Sequence, residues 1–287
     1  MTTSTVLYET RDRIATLTLN RPERLNAIGE TTGRDLREAV QRANDDDQIH
    51  VIVLRGAGRA FCAGYDLKEF AEGSSPWNQE MPWDPMIDFR MMKQNTDDFM
   101  SLWRSYKPTI AQVHGYAVAG GSDIALCCDL VVMAEDAKIG YPPARVWGCP
   151  TTAMWVYRLG AEKAKRMLLT GDLIDGAEAK TMGLVLDAVP AGKLASRVLE
   201  LAQRMAGVPR NQLMMQKLVI NQAYENMGLA TTQMFSTLFD GITRHSPEGV
   251  AFRETAVSSG FQEAVRQRDS GEPIPGSKPT PRGNSRK

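Results

Sequence analysis

Apolar residues along the chain follow two rhythms. Short β-branched or alternating runs at residues 13–19 (RIATLTL), 49–54 (IHVIVL), 109–113 and 130–134 predict strands. Helical spacing appears between them: residues 31–43 carry Leu36, Ala39, Val40 and Ala43 on one face, and helices are expected over 88–106, 121–128 and 153–159. From Gly192 onward the pattern is almost wholly helical, with helices expected near 192–206, 210–226, 229–243 and 247–259. Strands alternating with helices, then helices alone, predict an α/β core over 1–205 and a helical region over 206–268. Residues 71–88 break the pattern with Gly73, Ser74, Ser75, Pro76, Pro82 and Pro85 and are expected to form a long surface loop. The stretch 269–287, with four prolines and three glycines, is expected to be disordered.

Composition narrows the function classes. Lys+Arg and Asp+Glu both number 34 in 287 residues, so nothing electrostatic favours nucleic acid as a partner. No apolar run approaches the ~18 residues of a membrane span, and the first residues lack a signal-peptide pattern. The cysteines at 62, 127, 128 and 149 form neither a disulfide framework nor a CxxC pair. A reduced cytoplasmic compartment is the expectation, and no His, Asp or Glu spacing suggests a metal.

Two small-residue segments carry candidate chemistry. Ala60–Leu67 (AFCAGYDL) follows the strand at 49–54, and 114–123 (HGYAVAGGSD) follows the strand at 109–113 and opens a helix. Glycine lets a ligand approach the backbone, and the first N–H groups of a helix lack partners. Two such segments side by side can aim two N–H groups at one developing oxyanion. Either one alone is weak evidence, since a Gly-rich strand-to-helix turn is more often an ordinary tight connection. A phosphate cradle is disfavoured, because neither GxxxxGK[ST] nor GxGxxG is present.

Together with Asn20-Arg21-Pro22, Leu25-Asn26-Ala27, Asp129, Ile139-Gly140, Leu159-Gly160, Leu169-Thr170-Gly171 and Gly183-Leu184-Val185, these segments make the chain resemble the crotonase superfamily, the enoyl-CoA hydratase/isomerase family, over residues 5–268. The resemblance implies an α/β spiral of ββα repeats and a helical C-terminal region that mediates trimerisation, in homotrimers or dimers of trimers. It implies acyl-CoA substrates, with coenzyme A as part of the substrate and no bound prosthetic group. By position, the oxyanion-hole N–H groups fall on Tyr65 and Gly120, and Asp123 falls on a catalytic carboxylate. Asn26, Ala27, Ala63 and Lys68 fall where family members approach CoA, the Asn20–Ala27 segment largely through its backbone.

One departure bears on mechanism. Hydratases of the family flank a water with two glutamates, and here the matching positions are Asp123 and Pro143. Proline exchanges no proton. Three readings stay open: Asp123 acts alone in an isomerase or weak hydratase; Glu69, Glu72, Asp84 or Asp88 substitutes; or the reaction is another of the superfamily, a hydrolysis, decarboxylation or carbon–carbon cleavage. A non-catalytic acyl-CoA-binding homologue is the rival outside catalysis. Tyr65, Tyr141, Arg145 and Trp147 are candidates to shape the pocket. His50, His114, His245 and Cys62 are read as packed side chains. Residues 262–287 carry a net charge of +3, in a region that the resemblance implies can approach CoA phosphates; from Lys278 onward a solvated tail is the preferred account.

Overall fold

The computed structural model describes residues 4–72, 79 and 82–274. Residues 73–78, 80 and 81 of the expected 71–88 loop and the tail beyond residue 274 therefore lie outside the described residues, while the ends of that stretch, 71–72 and 85–88, are helical.

The chain begins with a hairpin. β1 (Val6–Arg11) pairs antiparallel with β2 (Ile14–Leu19), joined by Asp12 and Arg13, both at positive φ (49° and 66°), as a tight two-residue turn requires. β1 is an edge strand with little burial, so its apolar signal is weak, and the sequence reading missed it. Five of the six residues of β2 are buried. α1 (Thr32–Asp45) lays Leu36, Ala39, Val40 and Ala43 against the sheet, and β3 (Val51–Gly56) pairs parallel with β2. A π-helical turn follows at Lys68–Glu72. α2 (Pro85–Arg104) starts three residues before the expected position: Pro85 sits in its first turn, and the Asp84 side chain caps it by accepting from Met86 N at 2.9 Å.

Two strand–strand–helix units then repeat. The first is β4 (Thr109–Val113), β5 (Tyr116–Val118) and α3 (Gly120–Cys127); the second is β6 (Leu130–Ala134), β7 (Lys138–Gly140) and α4 (Met154–Thr170), which kinks at Gly160. In each unit the first strand joins the large sheet and the second joins a small one. β8 (Leu173–Asp175), α5 (Gly176–Met182), β9 (Asp187–Val189) and α6 (Leu194–Ala206) complete the core. The large sheet runs β1-β2-β3-β4-β6-β9, parallel beyond the hairpin, and the small sheet runs β5-β7-β8. The strand–strand–helix repeat is the expected organisation.

Four helices follow: α7 (Arg210–Asn226), α8 (Leu229–His245), α9 (Pro247–Ser259) and α10 (Phe261–Asp269). Buried Lys217 fastens α7 to the core, pairing with Asp129 at 2.8 Å and donating to the carbonyls of Leu102 and Lys107. α8 lies over the segment before α4. Gln233 Nε2 donates to Thr152 O (2.9 Å), and Ser236 Oγ donates to Pro150 O (2.7 Å). Its buried face is polar, with Gln233, Thr237 and Asp240, while Met234, Phe235, Phe239 and Ile242 are exposed.

Candidate active site

The two small-residue segments lie side by side. Cys62 pairs with Ala117 in a parallel bridge, Cys62 N donates to Tyr116 O (2.8 Å), and Val118 N donates to Cys62 O (3.0 Å). Gly64 has φ +94°, and a β-carbon on it would fall 2.9 Å from Val118 O and 3.6 Å from Gly120 N. Only glycine permits this approach.

Ala119 precedes α3 at φ 54°, ψ −127°, a strained region for alanine that costs about 1–3 kcal/mol. It is held there because Ala119 N donates to Gly140 O (3.0 Å) and Ser122 Oγ donates to Ala119 O (2.6 Å). The N–H groups of Tyr65 and Gly120 have no acceptor among the described residues. The arrangement thus offers two unused donors on adjoining strands of chain.

Asp123 stands in the first turns of α3, 2% exposed, with Thr152 Oγ1 donating to Oδ1 at 2.7 Å. Burial raises its carboxyl to about 8; the Thr152 hydrogen bond opposes the rise and the charge of Asp240 adds to it. The group is therefore mainly protonated at neutral pH. The field of the helix N-terminus, which favours the anion, does not offset desolvation of this depth.

The other candidate carboxylates are engaged elsewhere. Glu69 accepts from Glu30 N (3.1 Å), Glu72 accepts from Phe261 N (2.6 Å), and Asp84 caps α2. Asp88 is buried among Trp83 Nε1 (2.6 Å), Arg244 (3.1 Å) and His245 (2.9 Å). Asp240, which the sequence reading did not single out, is the acid whose charge reaches Asp123 among the described residues. It lies on α8, 3% exposed, ion-paired with Arg244 and accepting from Cys149 N at 3.0 Å. Its sequence signal was faint: a lone acid on a polar helix stripe four residues before an arginine reads as a surface pair.

Tyr65 and Tyr141 complete the cluster. The Tyr65 hydroxyl is shut off from solvent and forms no well-aligned hydrogen bond, with the Asn95 side chain near it, whereas Tyr141 donates to Cys149 O at 2.9 Å. Burial first, then the nearby carboxylates, raise both phenols. A 340 Å³ surface cleft among Asp47, His50, Pro209, Arg210 and Asn211 contains none of these groups.

The remaining expectations fall in different places. Asn26 is 2% exposed and its side chain is spent on structure: Nδ2 donates to Ala57 O and Ala60 O (both 2.8 Å), and Oδ1 accepts from Arg21 N (2.9 Å). The Ala27 carbonyl takes Arg21 Nη1 (2.7 Å), and Ala63 N donates to Leu25 O (3.1 Å), so the 25–27 stretch is held by backbone against the Ala60–Leu67 segment. Lys68 is exposed on the π-helical turn just after it. Arg145 braces Thr170 O and Asp269, and Trp147 packs on Phe252. His50 and His114 bond the carbonyls of Val208 and Gly58. Burial pushes the Cys62 thiol up to about 12, which leaves it no thiolate at neutral pH.

No group of three or more His, Cys, Asp or Glu side chains among the described residues is arranged to hold a metal. No helix among them is long and apolar enough to cross a membrane.

Comparison with known proteins bears on the chemistry. Residues 9–258 match the family described as enoyl-CoA hydratase/isomerase. A probable enoyl-CoA hydratase of Mycobacterium bovis is 32% identical over 79% of this chain and 84% of its own. An (E)-benzylidenesuccinyl-CoA hydratase of Thauera aromatica is 36% identical over 70% of this chain and 76% of its own. Among solved structures, an enoyl-CoA hydratase from Mycobacterium smegmatis superposes with TM-score 0.88 at 50% identity, covering 93% of both chains.

Proposed function

From the membership of this chain in the enoyl-CoA hydratase/isomerase family, we propose that it acts on an acyl-CoA thioester through an enolate. The thioester oxygen binds the N–H groups of Tyr65 and Gly120, and Asp123 moves the proton at the α-carbon. The observation that carries this reading is the pair of acceptor-less N–H groups beside a buried, largely protonated carboxyl. As negative charge grows on the thioester oxygen, the two donors stabilise it, each contributing a few kcal/mol, or roughly 10²–10³ in rate. The proton that Asp123 carries is the one the α-carbon receives, and Asp123 takes it back in reverse.

Coenzyme A enters as part of the substrate, and the chemistry needs no prosthetic group. The backbone wall at Asn26, Ala27 and Ala63 and the exposed ammonium of Lys68 suit an extended anionic ligand. The outward apolar face of α8 suits packing against further copies of the chain in a homotrimer or dimer of trimers, and the reduced thiols suit the cytoplasm.

The test is incubation of butyryl-CoA with the protein in D2O. Deuterium at the α-carbon, lost in Asp123→Asn, is the expected result. Absence of exchange in the wild-type protein, together with no turnover of crotonyl-CoA, would exclude the reading.

A further inference from the structure

The stretch from Cys149 to Thr152 holds two carboxylates at once. Cys149 N–H donates to Asp240 Oδ1 at 3.0 Å, and Thr152 Oγ1–H donates to Asp123 Oδ1 at 2.7 Å. Only two residues, Pro150 and Thr151, separate the donors, so α3 and α8 deliver their acids to one short length of chain.

Asp240 and Pro143 both border Gly148. A single carbon added at Gly148 would lie 2.9 Å from Pro143 Cβ, 3.5 Å from the Tyr141 hydroxyl and 3.6 Å from Asp240 Oδ1. An independent feature points the same way. The Tyr65 hydroxyl is buried without a well-formed hydrogen bond, and Asp240, Asp123, Arg244 and the Asn95 side chain all act on it. A buried hydroxyl left open among charged groups marks where a polar molecule is expected.

We propose that Asp240 is the second acid/base of this site, the group that takes a proton from water while Asp123 supplies one to the substrate. The inference rests on the acyl-CoA reading above and commits it to hydration. Asp240 removes a proton from a water molecule, whose oxygen bonds to the β-carbon of the enoyl thioester. The π electrons shift to the thioester oxygen, held by the N–H groups of Tyr65 and Gly120. As the enolate collapses, Asp123 gives its proton to the α-carbon. Asp240 ends protonated and Asp123 ionised, and one proton passing from the first to the second resets the site.

The two environments suit this division. Burial holds the Asp240 carboxyl above the ordinary carboxylate range, as a proton acceptor requires, and the cation Arg244 on its own helix and the Cys149 N–H oppose that rise. Asp123 has only the Thr152 hydroxyl and keeps its proton. The other groups facing Asp240 are Asp88 from α2, whose charge Arg244 shares, and Tyr65 and Tyr141, both neutral at working pH.

The experiment compares crotonyl-CoA hydration with α-proton exchange of butyryl-CoA in D2O. Asp240→Asn is expected to lower kcat for hydration by about 10²–10⁴, leave KM within about threefold, and retain exchange, which Asp123 performs. Asp123→Asn is expected to lose both. Hydration by Asp240→Asn within about threefold of wild type overturns the proposal. Neither reaction in the wild type overturns the acyl-CoA reading and this inference with it. Should Asp240→Asn fail to fold, Asp240→Glu is read instead, since it keeps the charge beside Arg244 and moves the carboxylate by one methylene. A fall in kcat of about tenfold at unchanged KM supports the role, and unchanged kcat overturns it.

Discussion

Thr152 donates its hydroxyl to Asp123 across 2.7 Å inside a site where that carboxyl is 2% exposed. The hydroxyl is the one group that eases the carboxyl toward ionisation; burial and Asp240 both push the other way. Its backbone is fixed from the opposite side, because Gln233 Nε2 of α8 donates to Thr152 O. The helix that carries Asp240 therefore also steadies the residue that orients Asp123.

Replacing Thr152 by valine keeps the shape and removes the donor. Asp123 then rises above about 8, and its orientation is no longer fixed by a hydrogen bond. Thr152→Val is expected to lower kcat about tenfold and to move the alkaline limb of the kcat/KM profile for crotonyl-CoA hydration upward. A limb that stays in place would show that Thr152 does not set the protonation of Asp123.

Adjacent glycines at the start of α3 separate catalysis from folding. A β-carbon at Gly120 would meet Ile28 Cδ1 at 2.7 Å and Tyr65 Cε2 at 2.9 Å, both side-chain atoms that can yield. One at Gly121 would lie 2.2 Å from the backbone oxygen of Cys62, which cannot. Gly120→Ala is expected to fold and to lose about 10²–10³ in kcat, as its N–H and that of Tyr65 are forced apart. Gly121→Ala is expected to give little soluble protein. Circular dichroism with crotonyl-CoA kinetics checks both, and equal effects from the two would remove the distinction.

Glycine spacing and strand runs made the core legible, because backbone approach and two-sided burial leave strong local signals. The pairing of the two small-residue segments was readable for that reason. Asp240 was not, and the reason lies in α8. Helical amphipathicity is ordinarily read with the apolar face inward, yet α8 turns Gln233, Thr237 and Asp240 to the core and leaves Phe235 and Phe239 exposed. The inward polar stripe acquires meaning only when the segment around Cys149 and Thr152 folds beneath it, over 80 residues away in sequence. The hairpin strand β1 was missed for a simpler reason: at the sheet edge its residues are mostly exposed and the apolar contrast is slight.

Asn26 belongs to a segment expected to approach the ligand largely through its backbone, and its side chain serves the fold. Asn26→Ala removes the donors to Ala57 O and Ala60 O and the acceptor for Arg21 N, all in a buried setting. A loss of about 2–4 kcal/mol is expected in urea unfolding, with KM for crotonyl-CoA changed less than about threefold. A large rise in KM at unchanged stability would instead put the amide on the ligand.

Asp123 gives the last prediction, through linkage. Its carboxyl sits at about 8 in the folded protein against an ordinary 3.8. Between those values the unfolded chain has lost the proton and the folded one retains it, so folding takes up a proton. Stability contributed at this site is complete at acid pH and declines as pH rises from about 4 to about 8, with a slope of at most about 1.4 kcal/mol per pH unit. Asp123→Asn has no proton to lose. Its melting temperature relative to wild type is therefore expected to climb from pH 5 to pH 8 and then level off, even as hydration falls by about 10²–10⁴. Thermal melts of both proteins across that range read the difference directly. A difference independent of pH would mean that Asp123 is ionised in the folded state, and the proton delivered to the α-carbon would then have to come from another group.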